Sequence, residues 1–210
     1  MPGPDLSFEE AAWARGAQCV AGVDEVGRGP WAGPVTVAAV ILNPSDIPAG
    51  LDDSKALTAR RREALFPEIM ARARVAIVDV SVAEIDRINI LAASLEGMRR
   101  AVAALGDQPD HLLVDGNRLP AGLSCTAEAI VKGDARSASI AAASIVAKVW
   151  RDRLMVDLAQ QHPFYGWEKN AGYGTASHRL GLERHGVSPH HRRSFKPIHN
   201  ILWQAKNPSG

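Results

Sequence analysis

Apolar β-branched residues dominate Val20–Val26 and Val35–Leu42, while residues 27–36 hold three Gly and two Pro. That pattern predicts a strand, a tight connection and a second strand. Residues 43–50, with two Pro and one Gly, read as a loop. Further short apolar runs at 75–81, 111–115 and 126–131 predict three more strands. Between them the period changes from two to that of a helix. Ser7 followed by Glu10 suggests a capping box for a helix through residue 16, and Thr58 suggests an N-cap for a helix that buries Leu65 and Ile69. Pro67 is expected to kink or divide that second helix. Ser81 with Glu84 forms another capping box before a short turn at 85–88. From Asn89 a longer helix carries Leu91, Leu95, Met98, Val102 and Leu105 on one stripe and stops near Gly106 and Pro109. A long helix is predicted over 137–160 and a short one over 179–185, with 198–210 read as a frayed end. Strands alternating with helices define an α/β class. The change in character near His162 predicts a main domain over 1–160 and a C-terminal helix and loop extension over 161–210.

Composition leaves this picture intact. A 210-residue chain with 46% hydrophobic and 22% charged residues is an ordinary globular composition. The first ten residues have neither an apolar core nor a basic lead, and no apolar run approaches the length of a bilayer span, so the reading is a cytoplasmic chain without membrane attachment. Cys19 and Cys125 are too few for a disulfide framework or a zinc site and read as reduced thiols.

Charge changes the picture more. Of 24 Lys and Arg and 23 Asp and Glu, residues 1–135 carry 13 and 19, while residues 136–210 carry 11 and 4. Six of the seven His also fall in the second stretch. An acidic body and a basic final third suit a metal-dependent enzyme acting on a polyanion, the alternative being a solvated basic tail.

Candidate chemistry gathers where strands end. Asp24 and Glu25 close the first strand, where their charge calls for a metal ion or for Arg28, in which case the pair simply closes a hairpin. Asp115 ends the fourth strand beside Gly116, and Asp134 follows the fifth strand just ahead of the long helix. Four carboxylates without His or Cys suit Mg²⁺ or Mn²⁺ and are enough for two ions about 3.5–4 Å apart. Adjacent residues on a strand face opposite ways, so Asp24 and Glu25 can share such a centre only with help from twist, a bulge or a backbone carbonyl. On the long helix Ser144, Lys148, Arg151 and Asp152 form a polar stripe, which makes Lys148 or Arg151 a candidate phosphate contact. Ser54 and Lys55 are either a phosphate contact or plain loop residues. His190 and His191 lack a partner set for metal binding and read as exposed or phosphate-contacting.

The stretches AGVDEVGRGPWAGPV, LDDSKALT, INILAAS, LVDGN, VKGDARSASIAAASIVAKVWRDRLM, GYGT and HHRRSF, in this order, resemble the ribonuclease HII family from Val20 to Phe195. The resemblance implies a ribonuclease H-like fold: a mixed five-stranded sheet flanked by helices, with a small C-terminal helical extension. It implies a Mg²⁺- or Mn²⁺-dependent endonuclease that acts on an RNA/DNA hybrid or a DNA duplex containing ribonucleotides and cuts 5′ to the ribonucleotide.

 It leaves 3′-hydroxyl and 5′-phosphate ends, and the enzyme is expected to work as a monomer. Matched position by position, the family's four acids fall on Asp24, Glu25, Asp115 and Asp134. Its glycine-arginine-glycine loop, which approaches the 2′-hydroxyl and the adjacent phosphate, falls on Gly27, Arg28 and Gly29. Its tyrosine that packs on the neighbouring sugar falls on Tyr173, and Lys55, Lys148, Arg192 and Arg193 would hold phosphates. Trp31, Pro67 and residues 167–171 depart from the family's usual pattern. Rival readings are another ribonuclease H-like nuclease acting on long hybrids or junctions, and a catalytically silent nucleic-acid-binding module. A glycosidase pair is disfavoured, because it needs two carboxyls and an aromatic sugar platform.

Overall fold

The structure is a computed structural model and describes residues 3–206. In chain order the elements are α1 (Ser7–Ala14), β1 (Val20–Val26), β2 (Val35–Leu42), α2 (Ala59–Arg72), β3 (Ala73–Val80), α3 (Val82–Ile88), α4 (Ile90–Ala103), β4 (His111–Asp115), β5 (Thr126–Ile130), a 3₁₀ turn (Gly133–Ala135), α5 (Ala138–Gln161), α6 (Trp167–Asn170), α7 (Ala176–His185) and α8 (Lys196–Lys206). The five strands form one mixed sheet in the order β3-β2-β1-β4-β5. β1 runs antiparallel to β2 and parallel to β4, and β4 runs parallel to β5.

By compactness the chain divides into two units, neither of them a contiguous stretch. The first comprises residues up to Val26, Thr36–Asp79 and Ser94–Val149, and the second Gly27–Val35, Val80–Ala93 and the chain from Trp150 onward. The sequence suggested a single boundary at 160 instead.

The first unit holds the sheet, buried on both faces. All eight residues of β2 are buried, which explains why its sequence is a continuous apolar run rather than an alternating one. On one face Ala21, Val23, Val37, Ala39, Leu112 and Val114 pack against Met98, Ala101 and Val102 of α4. On the other, Ala38 and Val40 meet Leu65 and Ile69 of α2 and Ala142, Ile145 and Val146 of α5. The small residues of α5 let the helix lie close to the sheet. A Cβ at Gly22 would collide with the backbone of Ser139 and Ile140, so only glycine permits this approach.

Several predicted ends shift. Ser7 does not cap α1: it lies inside the helix, and the Asp5 carboxylate accepts its N–H at 2.9 Å. Pro67 does not divide α2, which runs unbroken through it, because neighbouring turns and the buried Leu65 and Ile69 hold the helix together. Thr58 and Ser81 cap as expected, accepting from the N–H groups of Arg61 and Glu84. Residues 196–206 form a helix with Ile198 fully buried rather than a frayed end; residues 207–210 lie outside the described residues.

α1 carries a residue that no sequence pattern singled out. Glu9 is buried, and its Oε1 accepts from Ser137 Oγ at 2.7 Å and from Ser139 N–H at 2.9 Å. The carboxylate thus satisfies the start of α5, where unpaired N–H groups and the positive end of the helix dipole favour an anion.

The second unit has its own core of Ala32, Met155, Ala159, Tyr165, Trp167, Leu182 and Ile198. Trp167, one of the departures from the family pattern, is fully buried there.

Candidate active site

Parallel pairing decides where the first two acids lie. Val20 pairs with His111 and Val23 with Val114, so one further step along the same register sets Asp24 beside Asp115. Both stand at the C-terminal ends of their strands. Asp134 sits in the 3₁₀ turn that leads from β5 into α5. The turn is tied to β4 directly: Gly133 N–H donates to Asp115 Oδ1 at 2.7 Å.

Alternation along β1 separates the neighbours. Asp24 shares a side with Gly22, which faces α5, and it is hydrogen-bonded to Ser144 of that helix. Glu25 shares the opposite side with Ala21 and Val23. No bulge relieves this, since β1 and β2 keep one register from Gly22 with Val40 to Val26 with Thr36.

Electrostatically the acids form one group. Burial pushes the Asp24 carboxyl well above its ordinary value, and Glu25, Asp115 and Asp134 add to the effect, with Ser144 opposing it. Burial and then Asp115 raise Asp134, and Lys55 opposes them. Lys55 Nζ stands 3.3 Å from Asp134 Oδ2. Its loop is set by Asp53 Oδ1, which accepts Lys55 N–H at 2.8 Å, and by Arg62 Nη1, which donates to Ser54 O and Leu57 O. Ser54 Oγ lies 2.8 Å from Ser144 Oγ. Ser54 and Ser144 were therefore legible as polar residues, while their link to Asp24 was not. Lys148 follows Ser144 by one turn of α5 and is partly buried.

The donor set is all oxygen, and its mutual repulsion leaves negative charge that a hard divalent cation would neutralise, so the residues fit Mg²⁺ or Mn²⁺. Among the described residues no three Asp, Glu, His or Cys side chains are gathered closely enough to ligate one ion as they stand.

In the second unit Arg28 and Gly29 are exposed and Gly27 is buried. Tyr173 is half exposed, and a Cβ on Gly29 would stand 3.2 Å from its Cε1. The Tyr173 ring therefore lies directly against the Gly29 backbone. Gly174 makes room for Trp31, whose ring a Cβ there would overlap, which accounts for the large residue at position 31. Arg193 is exposed, and its N–H donates to Asp86.

Two arginines differ from their sequence reading. Arg151 is buried and donates to the carbonyls of Pro34, Ala32 and Ala171, so it faces no phosphate. Arg192 is also fully buried, and its donors go to loop carbonyls. His191 is buried rather than exposed.

A mixed five-stranded sheet in the order β3-β2-β1-β4-β5 flanked by helices, with acids at the ends of adjacent strands, is a ribonuclease H-like fold. The Ribonuclease HII family model matches residues 21–198. Ribonuclease HII of Ruegeria pomeroyi is 65% identical over 97% of this chain and 87% of its own, and that of a second Ruegeria species is 66% identical over 97% and 89%. The crystal structure of ribonuclease H2 from Pyrococcus horikoshii superposes with a TM-score of 0.77 at 30% identity, covering 90% of this chain and all of that one. The chain belongs to the ribonuclease HII family and is an RNA–DNA hybrid endoribonuclease.

Proposed function

We propose that the enzyme hydrolyses the phosphodiester 5′ to a ribonucleotide, in a hybrid or singly embedded in duplex DNA, and leaves 3′-hydroxyl and 5′-phosphate ends. Such chemistry serves ribonucleotide removal from DNA and processing of RNA primers. The observation that carries the reading is the coupled acid group built on the β1–β4 register. Asp24, Asp115 and Asp134 would hold two Mg²⁺ or Mn²⁺ ions, with Glu25, on the opposite side of β1, joining them through strand twist or its backbone carbonyl; when bound the ions activate water and offset charge on the departing 3′-oxygen. Lys55 and Lys148 would attract the phosphates on either side. Arg28 and the backbone of Gly27 and Gly29 would approach the 2′-hydroxyl, which distinguishes RNA from DNA, and Tyr173 would pack on the neighbouring deoxyribose. Arg193 and the basic extension over 161–210 would add backbone contacts that raise affinity without reading sequence. We place this activity in a cytoplasmic monomer; no described helix is long and apolar enough to cross a membrane.

The test is cleavage of a duplex carrying one ribonucleotide, with Mg²⁺ and with Mn²⁺, by the Asp24→Asn and Asp115→Asn variants. Each is expected to lose cleavage by about 10³-fold or more while binding the duplex as the wild type does. Wild-type cleavage by either variant would overturn the reading. An all-DNA duplex and a long hybrid run alongside separate it from a nuclease of different substrate.

A further inference from the structure

Buried polar side chains of the second unit converge on residues 188–192. Arg192 donates through Nε to Gly33 O at 2.9 Å, through Nη1 to Arg28 O at 3.0 Å, and through Nη2 to Gly27 O at 2.6 Å and Pro34 O at 3.0 Å. Its own N–H donates to Trp31 O at 2.8 Å. Every acceptor lies in Gly27–Val35, a loop whose glycines and prolines form no ladder of their own. Burial, and Arg151 close by, work against the guanidinium's charge, yet it remains protonated and the carbonyls solvate it.

One residue earlier, His191 starts a second line of bonds. Ser188 N–H donates to His191 Nδ1 at 3.0 Å, so the proton of this neutral ring is on Nε2. That atom lies 2.9 Å from His178 Nε2, which accepts, leaving His178 Nδ1–H to donate to Tyr173 O at 2.9 Å. Trp167 Nε1–H also points at His178 Nε2, at 3.2 Å. The donors fix both tautomers and the direction of the line. Apolar residues of equal volume would fill this space at lower desolvation cost, so the polar arrangement calls for a geometric reason.

We propose that His191, through His178, and Arg192 are positioning residues for sugar recognition. Arg192 sets the carbonyls on either side of Arg28, and His191 with His178 sets the carbonyl of Tyr173. Together they hold the Tyr173 ring against Gly29. The proposal rests on the reading of Gly27, Arg28, Gly29 and Tyr173 as the groups that meet the sugars. A glycine-rich loop has little stiffness of its own, and a misplacement of about 1 Å costs up to about 10²-fold in rate.

The test measures kcat and KM on a duplex with one ribonucleotide and on a long hybrid. The variants are Arg192→Lys, His178→Leu and His178→Asn, with Tyr173→Ala and Gly29→Ala as references, all assayed below their melting midpoints. Arg192→Lys keeps the charge but not the fork, and is expected to lower kcat on the single ribonucleotide by about tenfold or more with KM within about threefold. It should also lose preference over the long hybrid. His178→Leu should behave alike, while His178→Asn, which retains a donor near the Nδ1 position, should recover most of the preference.

Unchanged preference in Arg192→Lys and His178→Leu, with preference lost in Tyr173→Ala, overturns the positioning role and leaves the sugar reading standing. Preference unchanged in Tyr173→Ala and Gly29→Ala overturns the sugar reading itself. A rise in KM alone for Arg192→Lys would mark a phosphate contact instead and also overturn the proposal. Should His178→Leu fail to fold, Arg192→Lys decides by the same criteria.

Discussion

Gly22 of β1 stands against the backbone of Ser139 at the start of α5, so closely that a single methyl group has no space between them. The distance between sheet and helix at this point sets where Ser144, little more than a turn further along, meets Asp24. Two residues on the strand rise about 6.7 Å, close to the roughly 7.5 Å that five residues rise on the helix.

Gly22→Ala is therefore expected to destabilise the fold by about 3 kcal/mol or more, since backbone rather than a pliant side chain must move. Urea denaturation would show a lower midpoint with little change in slope. A midpoint equal to the wild type would show that the helix can retreat freely.

Glu9→Ala should cost about 3 kcal/mol, because it leaves the buried Ser137 and Ser139 groups at the start of α5 without their acceptor. Glu9→Gln keeps the shape and should cost about half as much. Equal losses in the two variants would point to charge, not shape, as the main contribution.

Acid should weaken the second unit through its histidines. Burial, and then His178 beside it, push His191 down from 6.5 to about 3, and burial also lowers His178. Both rings are neutral when folded, so their contribution is fully present above the unfolded value of about 6.5; that of His191 is lost as pH falls toward about 3, and that of His178 falls in the same direction. For His191 stability should fall by about 1.4 kcal/mol per pH unit within that window. Denaturation midpoints between pH 7.5 and pH 5, where this slope should shrink in His191→Gln, provide the check.

Lys55→Met removes an exposed ammonium whose ion pair with Asp134 is worth at most about 1 kcal/mol to stability. If Lys55 holds a phosphate, the variant should bind a ribonucleotide-containing duplex more weakly, and the slope of log affinity against log salt should lessen by about one. Binding isotherms at several salt concentrations measure both, and an unchanged slope would assign Lys55 to the acid cluster alone.

The sequence by itself determined the five strands and the longer helices of the main body. The β-branched runs gave β1 and β2, the stripe through Met98 and Val102 gave α4, and Thr58 and Ser81 named their helix starts, because these depend on periodicity and on groups three residues away. The ordered motifs also marked Asp24, Glu25, Asp115 and Asp134 as a set. Tertiary structure alone decided what each polar group meets. Asp24 and Asp115 come side by side through a parallel register across about 90 residues of chain, and a sequence does not display register. The charge on Arg192 looked like a phosphate contact, yet burial turned its donors onto the Gly27–Val35 carbonyls, and Glu9, in a stretch that promised nothing, became the anion at the start of α5. Local bonding patterns are written in neighbouring residues, whereas burial and long-range partners follow from which surfaces the folded chain brings together.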